Sequence, residues 1–141
     1  RNIKPWIQCH RHCDWELTMA TSTRVLPGNF ANTQYEDTAV SNGNTDTIQA
    51  DGTSGTLHAV FIDNTAGSNN AYIRLFDAGS ATNGTTVPDF IFYAPGNSTV
   101  MYTIPLGLAY GVGLRYSAAN VGGTTGTGAT GTVILRMLLE T

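Results

Sequence analysis

This sequence is short of charge. Asp, Glu, Lys and Arg make up 12% of its 141 residues, against roughly 25% in an ordinary soluble domain. Lysine is nearly absent, with Lys4 the only one. That argues against a nucleic-acid partner, because neutralising phosphates takes a basic face. The formal net charge of −3 is too mild to imply a cation-seeking role. No run of about 18 apolar residues occurs, so no membrane-spanning helix and no membrane partner is expected. Cysteine is confined to Cys9 and Cys13, and a chain of this length buries a core without disulfides. A catalytic motif is missing as well. Glycosidases need two positioned carboxylates, and nothing sets any pair apart. Nucleophilic Ser/His or Cys/His chemistry would have to draw on His58 or on the first residues. The expectation is one domain, not an enzyme, with no cofactor.

Thr, Asn, Ser and 16 glycines fill the space left by charge. From Leu57 to Tyr116, runs rich in β-branched and aromatic residues (Leu57–Ile62, Ala71–Phe76, Asp89–Tyr93 and Thr99–Ile104) alternate with clusters such as Asp63-Asn64, Gly79-Ser80 and Pro95-Gly96-Asn97. Gly tolerates positive φ, and Asn and Asp bond their own backbone, so such clusters punctuate strands. Strands at this spacing with no helical period between them predict an all-β fold, a single-domain jelly-roll-like β-sandwich with an extended N-terminal arm.

The first eighteen residues differ from the rest. Arg1–Thr18 holds both tryptophans (Trp6, Trp15), both cysteines, two of the three histidines and the only lysine. Arg1, Lys4 and Arg11 against Asp14 and Glu16 give +1, leaving −4 for the remainder. Met19-Ala20 reads as an ordinary translation start, so the segment is expected to be an arm or to stem from an upstream start. It lacks the apolar core of a signal peptide. Cys9-His10-Arg11-His12-Cys13 supplies ligand types for zinc, but structural sites use ligand pairs separated by a longer loop. No metal site is expected there. The organisation expected is an arm over 1–18, an extended segment with weak strands over 19–50, and the sandwich over 51–141.

Gln34–Val40 and Thr45–Ala50 are candidate strands, and Asn42-Gly43 between them is a strong signal for a hairpin. In the next strand, strict alternation places His58, Val60 and Ile62 on one face and Leu57, Ala59 and Phe61 on the other. His58 reads as a hydrogen-bonded structural residue rather than a catalyst. Arg74, between Tyr72 and Phe76, reads as part of a half-exposed strand face, with pairing to Asp63 or Asp89 as the alternative. Asp51, Asp63, Asp77 and Asp89 sit at strand ends, yet no calcium-binding loop pattern appears. Gly107, Gly111 and Gly113 interrupt the strand expected over 106–116 and mark a bulge or close approach. Residues 120–132 predict a long exposed loop. Val133–Leu139 carries apolar residues on both faces, which asks for cover from a second sheet or another subunit.

The order of residues over 72–114 resembles a known pattern. Tyr72-Ile-Arg-Leu-Phe-Asp, then Gly84-Thr-Thr-Val-Pro-Asp, Ala94-Pro-Gly, and Ile104-Pro-Leu-Gly-Leu-Ala-Tyr-Gly-Val-Gly-Leu resemble small all-β virion proteins of tailed bacteriophages and prophages. The resemblance does not reach Arg1–Thr18. It implies a capsid decoration (cement) protein, made in the host cytoplasm and carried on the capsid surface. The implied partner is the major capsid protein, bound by a homo-oligomer, expected to be a trimer. Candidate contacts are Thr21, Arg24, Val25, Leu26 and Phe30 in the extended segment, and Ile134, Leu135, Met137 and Leu139 in the last strand, acting through strand addition and apolar burial. The alternative is a tail- or fibre-associated module binding a receptor or carbohydrate, with Tyr72, Tyr93, Tyr102, Tyr110 and Tyr116 as stacking platforms.

Overall fold

The structure is a computed structural model that describes residues 22–25, 31–40, 46–47, 53–126, 128–129 and 131–141. Among them nine strands are found, and no helix. They are β1 (Ser22–Val25), β2 (Thr33–Asp37), β3 (Asp46–Thr47), β4 (Gly55–Asp63), β5 (Ala71–Asp77), β6 (Phe90–Ala94), β7 (Thr99–Tyr110), β8 (Leu114–Ala119) and β9 (Ile134–Glu140). Two antiparallel sheets result, one ordered β1-β2-β9-β4-β7 and the other β3-β8-β5-β6. The chain is a β-sandwich. The arm over 1–18, and with it the Cys9–Cys13 segment and the Met19 start, lies outside the described residues.

Alternation builds the core. Leu135, Met137 and Leu139 of β9 point inward beside Val60 and Ile62 of β4, and meet Ile73 and Leu75 of β5 from the other sheet. Burying branched side chains of this size stabilises by about 1.5–3 kcal/mol each relative to exposure. A polar chain crosses the same interior. Tyr35 donates to the Tyr116 hydroxyl at 2.8 Å, and Tyr116 donates to Asp37 at 2.6 Å. Burial, together with the hydrogen bond to Asp37, pushes the Tyr116 phenol far above its ordinary value. It therefore stays protonated and keeps donating across the two sheets.

Three expectations are corrected. Asn42-Gly43 does not close a hairpin of its flanking strands: β2 belongs to the five-stranded sheet and β3 to the other. The stretch 106–116 is not one strand, because β7 ends at Tyr110 and β8 starts at Leu114. Asp77 fixes the turn between them by accepting hydrogen bonds from the N–H groups of Gly111, Val112 and Gly113 at 2.9, 2.8 and 3.3 Å. Burial alone would raise the Asp77 carboxyl, but these donors reverse that and hold it below the usual carboxylate range.

The third correction concerns β4. Its pairing with both β7 and β9 slips between Leu57 and Ala59. His58 is the extra residue of a bulge, so Leu57 joins Val60 and Ile62 in the core. A bulge reverses the alternation beyond it.

Candidate interaction surface

Four strands end the two sheets among the described residues: β1 and β7 in one, β3 and β6 in the other. The β6 and β7 edges lie together, with the Phe92 and Tyr102 rings 5.2 Å apart. Tyr102 also closes part of the β6 edge, its hydroxyl donating to the Tyr93 carbonyl at 2.6 Å and accepting from the Tyr93 N–H at 3.3 Å. No such cap is found along β7 among the described residues. This strand runs for 12 residues, Thr-Val-Met-Tyr-Thr-Ile-Pro-Leu-Gly-Leu-Ala-Tyr, without one ionisable acid or base other than its tyrosines. Natural edges are usually blunted by charge, proline or bulges. β7 has the last two, but only from Ile104 onward.

The β7 bulge is built from both strands. Leu57 pairs with Leu108 and Ala59 with Thr103, so Ile104–Gly107 bow out opposite His58. Gly107 takes φ +72° and packs against β4: a Cβ there would collide with the Thr56 methyl and come 3.1 Å from the His58 ring. His58 Nε2 lies 3.3 Å from Glu140 Oε2. His58 thus holds structure, as the sequence suggests, and does so from a bulge. At the tip Leu106 is 98% exposed. It is the most exposed large apolar side chain among the described residues.

A second apolar surface lies on the outer face of the five-stranded sheet. A groove of about 210 Å³ is lined by Gln34, Ala59, Phe61, Met101, Arg136 and Leu138, with Met137 at its floor. Met101 is 61% exposed. Arg136 spans the groove wall, paired to Glu36 at 2.9 Å and placed 5.4 Å from the Phe61 ring centre.

The opposite outer face is closed over β5 and β8, while Ile91 and Tyr93 of β6 stay exposed on it. Arg74 is 0% exposed, which corrects the expectation of a half-exposed face. It pairs with neither Asp63 nor Asp89. Its Nη1 donates to Asn83 Oδ1 at 2.7 Å, and its Nη2 donates to the carbonyls of Val121, at 3.1 Å, and Thr125. Burial lowers its pKa from the usual arginine value. The guanidinium binds the loops at 82–84 and 121–125 to the sheet. The predicted exposed loop is therefore largely exposed over 121–126 but anchored through its backbone there, and its Ala129 is buried in the core.

The expected contact residues fall in three places. Thr21, Leu26 and Phe30 lie outside the described residues. Arg24 and Val25 lie on β1, whose pairing among the described residues is with β2 alone. Leu135, Met137 and Leu139 are buried in the chain's own core, and β9 is paired on both sides by β2 and β4. No edge remains there for strand addition, and only Ile134 of the set is half-exposed. The surface that sequence reasoning missed is β7. Its signal was the charge-free run itself, read only as a strand. Of the tyrosines proposed as platforms, Tyr110 and Tyr116 are buried, and Tyr93 alone is clearly exposed, at 38%. No cluster of metal-ligating side chains occurs among the described residues. The chain matches no family model, no curated protein and no solved structure.

Proposed function

We propose that this chain is a virion structural protein, a capsid decoration protein that docks on the lattice of major capsid subunits and stabilises the head as a homo-oligomer. The observation that carries the reading is the β7 edge: long, free of charged residues, and interrupted by a bulge that holds Leu106 in solvent. Such an edge offers a row of N–H and C=O groups to an extended partner segment, with an apolar knob to fix its position. The topology supports it. With β1 set aside, the orders β2-β9-β4-β7 and β3-β8-β5-β6 are compatible with a jelly roll, an architecture shared by viral capsid and lectin domains. The sequence resemblance to phage virion proteins over 72–114 agrees.

The test is to image purified virions by cryo-electron microscopy. Density for this sandwich at threefold or quasi-threefold lattice points, with β7 against the shell, is the expected result. Density confined to the tail moves the role to adsorption, and absence from every particle rejects a virion role. The adsorption reading draws on Tyr93, which packs at a tilt against Tyr72 with ring centres 5.2 Å apart. A glycan array without a hit removes its carbohydrate form.

A further inference from the structure

No carboxylate pairs with the buried guanidinium of Arg74 among the described residues. Its acceptors there are all neutral, Asn83 Oδ1 and the carbonyls of Val121 and Thr125, and its Nε donates to none of them. Asn83 Oδ1 accepts twice, from Arg74 Nη1 at 2.7 Å and from the Ser117 hydroxyl at 3.3 Å. Arg74 and Ser117 stand directly opposite each other on β5 and β8, so both reach one oxygen from the same sheet face. Two donors on one atom also fix which end of the amide is oxygen. The next residue is Gly84, and Asn83-Gly84 is one of two Asn-Gly pairs in the chain, the other being Asn42-Gly43. The pair sits at the centre of a turn closed by the Thr85 N–H on the Thr82 carbonyl at 3.1 Å. Gly84 takes φ +81°, as the third residue of a type II turn requires. It is exposed, a Cβ there would meet nothing within 4 Å, and its N–H donates to no described residue.

From this arrangement we infer that Asn83-Gly84 is a self-modification site, where the side-chain amide is exchanged for a carboxylate that pairs with Arg74. The reagent is water and the leaving group is ammonia. The Gly84 nitrogen gives its proton to solvent base and attacks Asn83 Cγ. The Cγ–Nδ2 bond breaks, ammonia leaves, and a five-membered succinimide ring remains. Water then opens the ring at Cγ, which breaks the new Cγ–N bond, restores the ordinary peptide and leaves aspartate. Nothing is oxidised or reduced. Glycine suits the attack because no side chain screens its nitrogen. The 83–84 peptide rotates toward the side chain in that step, so the turn opens while Arg74 keeps hold of the oxygen. Negative charge develops on Oδ1 as the nitrogen adds, and a cation and a hydroxyl already donate to that atom. Donors preorganised where charge develops lower such a barrier. In the ring the same two donors polarise the Cγ carbonyl, so water enters there rather than at the main-chain carbonyl, and aspartate forms in preference to isoaspartate. The product gives a buried cation an anionic acceptor in place of a neutral one, and such charge-assisted bonds are the stronger kind. Asn83 is half-exposed, so the new carboxylate keeps water on one side and avoids most of the cost of a fully buried ion.

The inference stands apart from the virion role, since the reaction needs only the folded chain and water. It is tested by peptide mass mapping of the full chain held in mildly alkaline buffer, folded and in urea, with aspartyl and isoaspartyl peptides separated. The folded chain is expected to convert position 83 at least as fast as the chain in urea. It should yield mainly aspartate there, whereas the chain in urea yields mainly isoaspartate. Ser117→Ala should slow the folded reaction about tenfold and leave the rate in urea unchanged. Asn83→Asp makes the product directly, and should melt several degrees above freshly prepared wild type. That gain should disappear as the pH falls below about 3.9, where the carboxylate paired with Arg74 takes up its proton. Asn83→Gln keeps an acceptor for Arg74 but cannot close a five-membered ring, so it should neither convert nor melt higher. A folded chain unchanged at position 83 after the chain in urea has fully reacted would overturn the site. Isoaspartate as the main folded product, a Ser117→Ala chain that reacts as fast as wild type, or an Asn83→Asp chain no more stable than wild type would each do the same.

Discussion

The two outer faces of the sandwich are made from the same kind of strand and finished in opposite ways. On the β5–β8 side the chain covers itself: Arg74 and Phe76 are buried and loop carbonyls occupy the guanidinium. On the β4–β9 side Phe61, Arg136 and Leu138 stay half-exposed around an open groove. The closed face holds a fully buried charge, which is tolerable only because every loop that meets it brings an acceptor. The open face keeps its charges in water and leaves apolar surface between them. Over β5 and β8 one face is finished within the chain, and the other leaves its apolar surface open to solvent.

The sharpest way to break this contrast is to truncate one phenylalanine on each face. Phe76→Ala, from a position 1% exposed, should cost about 3–5 kcal/mol in denaturant unfolding. Phe61→Ala should cost about 1 kcal/mol, because much of that ring is already in water. Equal costs would mean that the two faces do not differ in cover. Arg74→Ala comes next, with an expected loss of about 3 kcal/mol, since it leaves the carbonyls of Val121 and Thr125 without the guanidinium and Asn83 Oδ1 with the Ser117 hydroxyl alone. Amide exchange should rise first in 120–126, and protection unchanged there would show that the loop needs no anchor.

Asp77 gives a smaller, pH-dependent effect on the closed side. Its folded-state pKa is lowered, so its stabilisation is complete above the unfolded carboxyl value of about 3.9. It is lost as the pH falls through the folded value. Asp77→Ala should lower stability by about 0.5–1.5 kcal/mol at neutral pH, and should flatten part of the melting-temperature decline below about pH 4. Asp63 is lowered too, first by the Thr65 hydroxyl and then by its N–H, so a residual slope is expected. Leu106→Ser should have the least effect on folding, within about 0.5 kcal/mol, while abolishing the proposed attachment to capsids in a binding assay. Loss of stability with attachment intact would reverse the roles given to the bulge.

Much of the fold was legible in the sequence. Apolar alternation in Ala71–Phe76 and Thr99–Ile104, and turn chemistry around Asn64 and Asn97, located strands whose positions the structure repeats. What failed were inferences that needed a third dimension. Asn42-Gly43 carries the local chemistry of a hairpin, but its neighbours enter different sheets, and no short-range signal reports that. The slip at His58 reversed the assignment of Leu57 because alternation counts residues and a bulge adds one. Arg74 reads as a surface residue until the loop carbonyls that enclose it, from 47 and 51 positions away, are in place. The apolar run in β9 was visible, but the sequence could not say that its inward half is satisfied by the chain itself. The interaction surface was the least legible part, since a strand without charge looks the same whether it is central or at an edge.

The place of β9 between β2 and β4 also sets an order of events during synthesis. Thr33 pairs with Leu139 and Asp37 with Leu135, partners separated by about a hundred residues of chain, and such long closures slow folding. Until β9 leaves the ribosome, β4 can pair only with β7, and the β1–β2 ribbon has nothing to join. The nascent chain therefore carries the β1–β2 ribbon unjoined from Asp37 onward, and the β4–β7 pair with an open β4 edge from Tyr110 onward, until β9 is made. Its sparse charge gives those edges little mutual repulsion, so the interval before β9 arrives is when the chain is most exposed to aggregation and to chaperone capture.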